Sequence, residues 1–191
     1  MRVKLEEYNP KWKFCFENEK EKLLHVLGSK GIQIEHIGST SIPGICSKPV
    51  IDIIIGVEKE KQLDSNIIKI LTLGYTYVQK YEIILPFRRY FFKLKNPDVT
   101  LPKIIGFDDP DINRGNHEDC FHIHMVKISS DFWINQLVFR NYLRNNNQAK
   151  KEYENVKKSL AKMEWTSINE YAEAKSQCIS KLLEEGKNTK S

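Results

Sequence analysis

Residues 50–57 read VIDIIIGV, a short and nearly continuous apolar run rich in β-branched side chains. Such a run is satisfied by a strand covered on both faces, so the chain must supply a layer on each side of a sheet. Strand alternation puts Val50, Asp52, Ile54 and Gly56 on one face and Ile51, Ile53, Ile55 and Val57 on the other. Asp52 is then a carboxylate among apolar neighbours, costly unless hydrogen-bond donors or a cation satisfy it. The segment before it explains part of this. IQIEHI at 32–37 alternates apolar and polar residues in strand fashion, then breaks into the small residues Gly38, Ser39, Thr40 and Ser41. Backbone amides in such a loop suit phosphate oxygens, although the composition is also that of an ordinary turn. Two readings of Asp52 stand side by side: an acceptor for amides of the 38–41 loop, or a metal ligand at the strand's mouth.

The remaining pattern predicts an α+β protein, a mixed sheet flanked by helices with a C-terminal helical layer. An opening helix is expected over 10–28, with Pro10 in its first turn and Gly28 at its end. A second helix is expected over 59–74, and strands over 75–81, 87–95 and 120–126. Residues 96–119, rich in Pro, Asp, Asn and Gly, read as a long loop insertion in which Asp108, Asp109 and Asp111 serve as turn formers. From Asp131 to about Leu183 the pattern is helical, in three helices broken near 145–147 and 166–167, with Thr166 or Ser167 as N-cap and Glu170 spaced to close a capping box if the cap is Ser167. The expected organisation is a core over 1–128 and a helical segment over 129–191 packed on it.

Composition narrows the function classes. The 191 residues are 40% hydrophobic and 29% charged, as in a globular protein. The longest apolar run is too short to span a bilayer, and the first residues lack the apolar core of a secretion signal. Cys15, Cys46, Cys120 and Cys178 are scattered and form no CxxC pair, which argues against a zinc knuckle or redox motif. A cytoplasmic location is the expectation. The net charge of +5 is spread over mixed helical faces and the C-terminal KNTKS, which argues against a nucleic-acid partner. The pattern indicates no oligomeric state.

Several further residues can carry chemistry. His122 and His124 lie two apart on one strand, hence on one face, where two imidazoles can share a metal or grip a phosphate. Arg88 and Arg89 fall on opposite faces, so only one can enter a given pocket. Either suits a phosphate through its fork of donors, or guards a sheet edge. Lys48 is a similar phosphate partner. Glu35 and His36, next to the Gly-Ser, are adjacent and face opposite ways, so only one should line the pocket formed there.

Taken together, IEHIGSTSIPGICSKPVIDIIIGV resembles the signature of the GrpB family. RRYFFKLK, FHIHMV, DFWINQLVFRNYLRNN and NEYAEAKSQCISKLL resemble further family segments in the same order, over roughly 8–185. The resemblance implies a nucleotidyltransferase-superfamily fold. There a Gly-Ser at a strand end binds a triphosphate, and three acids hold one or two Mg²⁺ ions that activate a hydroxyl. Gly38 and Ser39 match the Gly-Ser, with Thr40 beside them, and Asp52 matches the first acid, a metal ligand and catalytic group. Ile54 stands where the second acid belongs, and His122 and His124 where the third is expected. One Asp with two His shifts the expected ion from Mg²⁺ toward Mn²⁺ or Zn²⁺. The function implied is binding of a nucleotide or other phosphate-bearing small molecule, with nucleotidyl transfer to a hydroxyl as the reaction. A non-catalytic binding module and a metal-dependent phosphoesterase are the alternatives.

Overall fold

The computed structural model describes residues 2–99, 101–110 and 118–189, with Ile168 and Asn169 as backbone only. Asp111, expected as a turn former, lies outside the described residues. Helix α1 (Lys11–Leu27) leads into β1 (Ile32–Ile37), and a 3-10 turn (Ser39–Ser41) and a connector lead to β2 (Ile51–Val57). Next come α2 (Lys61–Ser65), α3 (Ile67–Leu71), β3 (Thr76–Val78), a 3-10 turn (Gln79–Ile83), β4 (Arg89–Leu94), β5 (Ile104–Ile105) and β6 (Asp119–Lys127). Helices α4 (Asp131–Asn145), α5 (Asn147–Ala161), α6 (Ile168–Glu173) and α7 (Ser176–Asn188) follow. The α+β expectation holds: one six-stranded mixed sheet in the order β1-β2-β6-β4-β3-β5, with helices on it. Pairing is antiparallel except for β2 with β6 and β3 with β5.

One face of β2 and β6 carries Ile51, Ile53, Ile55, Ile123 and Met125. These form the main core with Trp12, Phe16 and Leu23 of α1 and with Leu63, Ile70 and Leu71 of α2 and α3. The other face is shared. Ile54 packs with Ile37, Val126 and Trp133, so α4 covers that end, while Tyr90 and Phe92 belong to a cluster with Val78 and Ile105. The last helices rest on the connector between β1 and β2: Ile42 and Ile45 pack with Leu143, Ala149, Tyr153 and Leu182. Helix α5 grips the same connector by polar contacts. Lys157 Nζ donates to the carbonyl of Cys46, and Glu154 accepts from the Cys46 amide at 3.1 Å.

Several expected elements differ. The helix expected over 59–74 is two short helices meeting at the buried Asn66, which ends one and begins the next. The strand expected over 75–81 stops at Val78, and the chain turns into the Gln79–Ile83 3-10 helix. A two-residue strand, β5, pairs with β3 inside the expected loop. Among the described residues the C-terminal layer has four helices, not three, because the chain breaks again near Ala174 and Lys175. Ser167 caps its helix, one of the two residues the pattern offers, accepting from the Glu170 amide, and Asn146 caps α5, accepting from the amides of Gln148 and Ala149. Glu170 departs from a full capping box, since its carboxylate takes the amide and hydroxyl of Thr166.

Candidate functional site

Asp52 opens β2 opposite Ile37, the last residue of β1, and lies beside His122 in the parallel partner β6. The Gly38–Ser39 turn thus sits directly over the carboxylate. Gly38 has φ 67° and ψ −175°, a conformation nearly restricted to glycine, and a Cβ there would overlap Asp52 Oδ2. The loop is therefore built from the smallest residue because its backbone touches the acid. Asp52 takes its hydrogen bond from His122 Nδ1, at 3.2 Å, and none from the loop amides. Of the two readings of Asp52, the amide acceptor is not what the structure contains.

His122 bridges two carboxylates, with Nε2 held by Asp119 Oδ2 at 2.8 Å. Burial alone would lower its pKa, but the hydrogen bonds and charges of Asp119 and Asp52 outweigh burial and raise it. Asp52 shows the mirror effect: burial raises it, yet the hydrogen bond and charge of His122 hold it below the usual carboxylate range. Asp119 reaches His122 because the ladder slips at Lys93 and Leu94, where β6 inserts an extra residue. Strict alternation would have sent it to the other face.

His124 shares the face but shifts the opposite way. Burial and the neighbouring Arg88 push it down to about 3 against the pull of Asp52, so it is neutral at pH 7. Its Nδ1 lies 3.2 Å from Arg88 Nη1, as an acceptor for that donor. The Arg88 guanidinium also lies over the rings of Tyr90, at 5.4 Å, and Phe132, at 5.8 Å. Among the described residues its Nε is buried without a hydrogen-bond partner, and it has no carboxylate partner. Arg89 turns to the opposite face, as alternation predicts, and is held by Asp64 at 2.7 Å, Glu82 at 3.1 Å and the carbonyl of Pro86. It is not brought to the site.

The other expected phosphate-binding residues separate in the same way. Ser39 Oγ lies 3.4 Å from the hydroxyl of Tyr153. Thr40 is buried and already used, donating to the carbonyl of Val50 and lying 3.0 Å from His36 Nε2. Lys48 is half-buried beside Lys175, whose pKa it helps to lower.

The C-terminal helices add residues that pattern reading missed. Lys175 is pushed down to about 8, by burial first and by Lys48, against the pull of Asp52; its ammonium lies 4.4 Å from the Tyr171 ring centre. Burial moves Lys157 down to about 8 and Tyr153 up to about 12, so the phenol stays protonated as a donor at neutral pH. The only signal for them was a run of mixed charge on a helix, which does not say what the helix meets.

As arranged, the trio Asp52, His122 and His124 does not fit a resident metal ion. Both nitrogens of His122 are engaged by carboxylates, and a guanidinium occupies His124 Nδ1. Among the described residues no group of three or more His, Cys, Asp or Glu is placed to hold a metal. The chemistry on offer is anion binding by a guanidinium and an ammonium, on the face that also carries the hydrogen-bonded Asp52–His122–Asp119 bridge and the Gly38 turn.

Comparison with known proteins agrees with this architecture. The family profile described as GrpB protein matches residues 2–185. UPF0157 protein BH1888 of Halalkalibacterium halodurans is 30% identical over 187 residues, 98% of this chain and 84% of that protein. UPF0157 protein YqkA of Bacillus subtilis is 34% identical over 183 residues, 96% of this chain but 47% of the relative. The crystal structure of conserved protein GrpB from Enterococcus faecalis superposes with a TM-score of 0.74 at 31% identity, covering 96% of each chain. No helix among the described residues is long and apolar enough to cross a membrane. The chain belongs to the GrpB family.

Proposed function

We propose that this protein binds a nucleotide or another phosphate-bearing small molecule on the Asp52 face of its sheet. The phosphate lies between the Gly38–Ser39 turn and Arg88, with Lys175 and Lys48 supplying further positive charge. The observation that carries this reading is Arg88. A half-buried guanidinium without a carboxylate, donating to a neutral imidazole and seated on two aromatic rings, costs stability unless an anion completes it. Phosphate supplies the acceptors that its fork of donors lacks. Tyr90, Phe132 and Phe87, which contacts Phe132 at 6.1 Å, offer ring faces for a base or another planar group.

Nucleotidyl transfer to a hydroxyl is the reaction the fold resemblance favours, and Asp52 is the one acid at hand. A second reading, binding without catalysis, draws support from Ile54. That residue is fully buried where a second acid would stand, and His122 already holds Asp52 as a weak base. Calorimetry with ATP, GTP, CTP and UTP tests both, each alone and with Mg²⁺, Mn²⁺ or Zn²⁺. Binding is expected to weaken about 10- to 100-fold in Arg88→Gln, as for loss of a charge-assisted hydrogen bond. Absence of binding by every combination overturns the proposal. Metal-dependent tightening that Asp52→Asn abolishes would restore the metal expectation and justify a screen of hydroxyl acceptors.

A further inference from the structure

A second cleft lies around the outer edge of the sheet. Strand β1 is an edge strand, and a cleft of about 420 Å³ wraps around it between α1 and the junction of α4 with α5. Because an edge is open on both sides, the oppositely facing Glu35 and His36 both line it. Five cationic side chains, Lys13, Lys20, Arg140, Arg144 and Lys150, face two carboxylates, Glu17 and Glu35. Arg140 is largely satisfied, bound to Glu35 at 2.6 Å and to the carbonyl of His36 at 2.9 Å. Arg144 is not: its Nε is fixed to the carbonyl of Ser41 at 2.9 Å, which orients the fork, and among the described residues it has no carboxylate partner.

This arrangement is electrostatically unfavourable in two ways. Arg140 and Arg144 are like charges at i and i+4 on one helix, a spacing that destabilises it. Lys150 stands in the first turn of α5, where the helix dipole disfavours a cation. His36 adds no further positive charge: burial, together with Arg144 and Arg140, pushes it down to about 4 against the pull of Asp52, so it is neutral. A polyanion seated among Arg144, Lys150 and the α1 lysines relieves the two costs together. Phe16, stacked on His36 at 4.8 Å, forms an apolar wall, and the volume falls within the range of small-molecule sites.

We infer that the β1-edge cleft is a separate site for a small phosphate-bearing polyanion, read by Arg144 and Lys150. The turn at Ser39–Ser41 links it to the Asp52 face, since Ser41 fixes Arg144 while Ser39 meets Tyr153 on the other side. The two sites remain distinct in their charged residues.

The test is pyrophosphate binding by calorimetry in 150 mM NaCl, without added metal, on the full chain. Arg144→Gln combined with Lys150→Gln is expected to weaken one binding event at least about tenfold, as for the loss of charge-assisted contacts. Arg88→Gln is expected to leave that event unchanged. A charge-matched control, Lys158→Gln with Lys187→Gln, removes two cations from exposed helix surface elsewhere and is expected to have no effect. The inference is overturned if the cleft variant binds pyrophosphate as wild type does, or if the control weakens binding equally. Failure of the Asp52-face proposal reads differently: a single event remains, sensitive to Arg144 and Lys150 and indifferent to Arg88.

Discussion

The two faces of the β2–β6 strand pair share a backbone and differ in almost everything else. On one face Ile53, Ile55, Ile123 and Met125 are completely excluded from solvent and saturated with apolar contacts. On the other, Asp52, His122 and His124 alternate with them and form a hydrogen-bonded polar cluster that keeps charge near Arg88. The first face has one stable solution, set by packing. The second has accepted polar groups whose satisfaction is partial, and partial satisfaction is what leaves a site able to take a ligand. Ile54 marks the border: it lies on the polar face by alternation but within the apolar cluster of Ile37, Val126 and Trp133.

That border is the sharpest place to break the comparison. Ile54→Asp, the change that would recreate a second acid, is expected to destabilise the fold by about 4 kcal/mol, the cost of an uncompensated buried charge. Urea denaturation measures it, and a variant of unchanged stability would show that the polar face extends further than its packing implies. Gly38→Ala is expected to cost about 3 kcal/mol through its backbone conformation and the overlap with Asp52. Adding Asp52→Ala should return part of that loss in a double-mutant cycle; strict additivity would mean that the turn and the acid do not touch.

The His122 bridge gives a smaller, pH-dependent effect. Its folded pKa is raised, so its contribution is fully present below the unfolded value of about 6.5 and is lost as pH rises through the folded pKa. The folded pKa of Asp52 is lowered, so its contribution is present above the usual carboxylate value and lost as pH falls through the folded one. His122→Gln is therefore expected to cost about 2 kcal/mol near pH 5.5 and markedly less near pH 9, by denaturation at the two pH values. Equal losses at both would mean that the bridge is held without charge. Arg88→Gln should alter stability least, by about 0.5 kcal/mol, since only ring contacts and one hydrogen bond to neutral His124 are lost. A large loss there would make Arg88 a structural residue.

Much of the apolar face was legible in the sequence because periodicity reports burial. The bounds of α1, β1 and β2, the common face of His122 and His124, and the opposite directions of Arg88 and Arg89 all follow from alternation or helical spacing. The polar face was legible only where its residues lie in one strand. Asp119 was hidden in the expected loop because a bulge, invisible to a period-two pattern, turns it toward His122. Tyr153, Lys157 and Lys175 were hidden because pattern gives a helix its apolar stripe and not the loop it will meet. The break at Asn66 escaped for a related reason: the apolar stripe of 59–74 continues across a residue that ends one helix and starts another.

The parallel pairing of β2 with β6 also has a kinetic consequence. Asp52 and His122 are 70 residues apart in the chain, and Ser39 and Tyr153 are 114 apart. Closing loops of that length costs chain entropy before any contact rewards it, so such pairings form slowly. The antiparallel β1–β2 pair, joined by a much shorter connector, can assemble before either. Asp52 meets the turn early in folding and meets His122 only as a long loop closes, as Ser39 meets Tyr153. A nascent chain therefore carries the Gly-Ser signature well before the Asp52 face is assembled, and that face marks completion of the fold rather than its beginning.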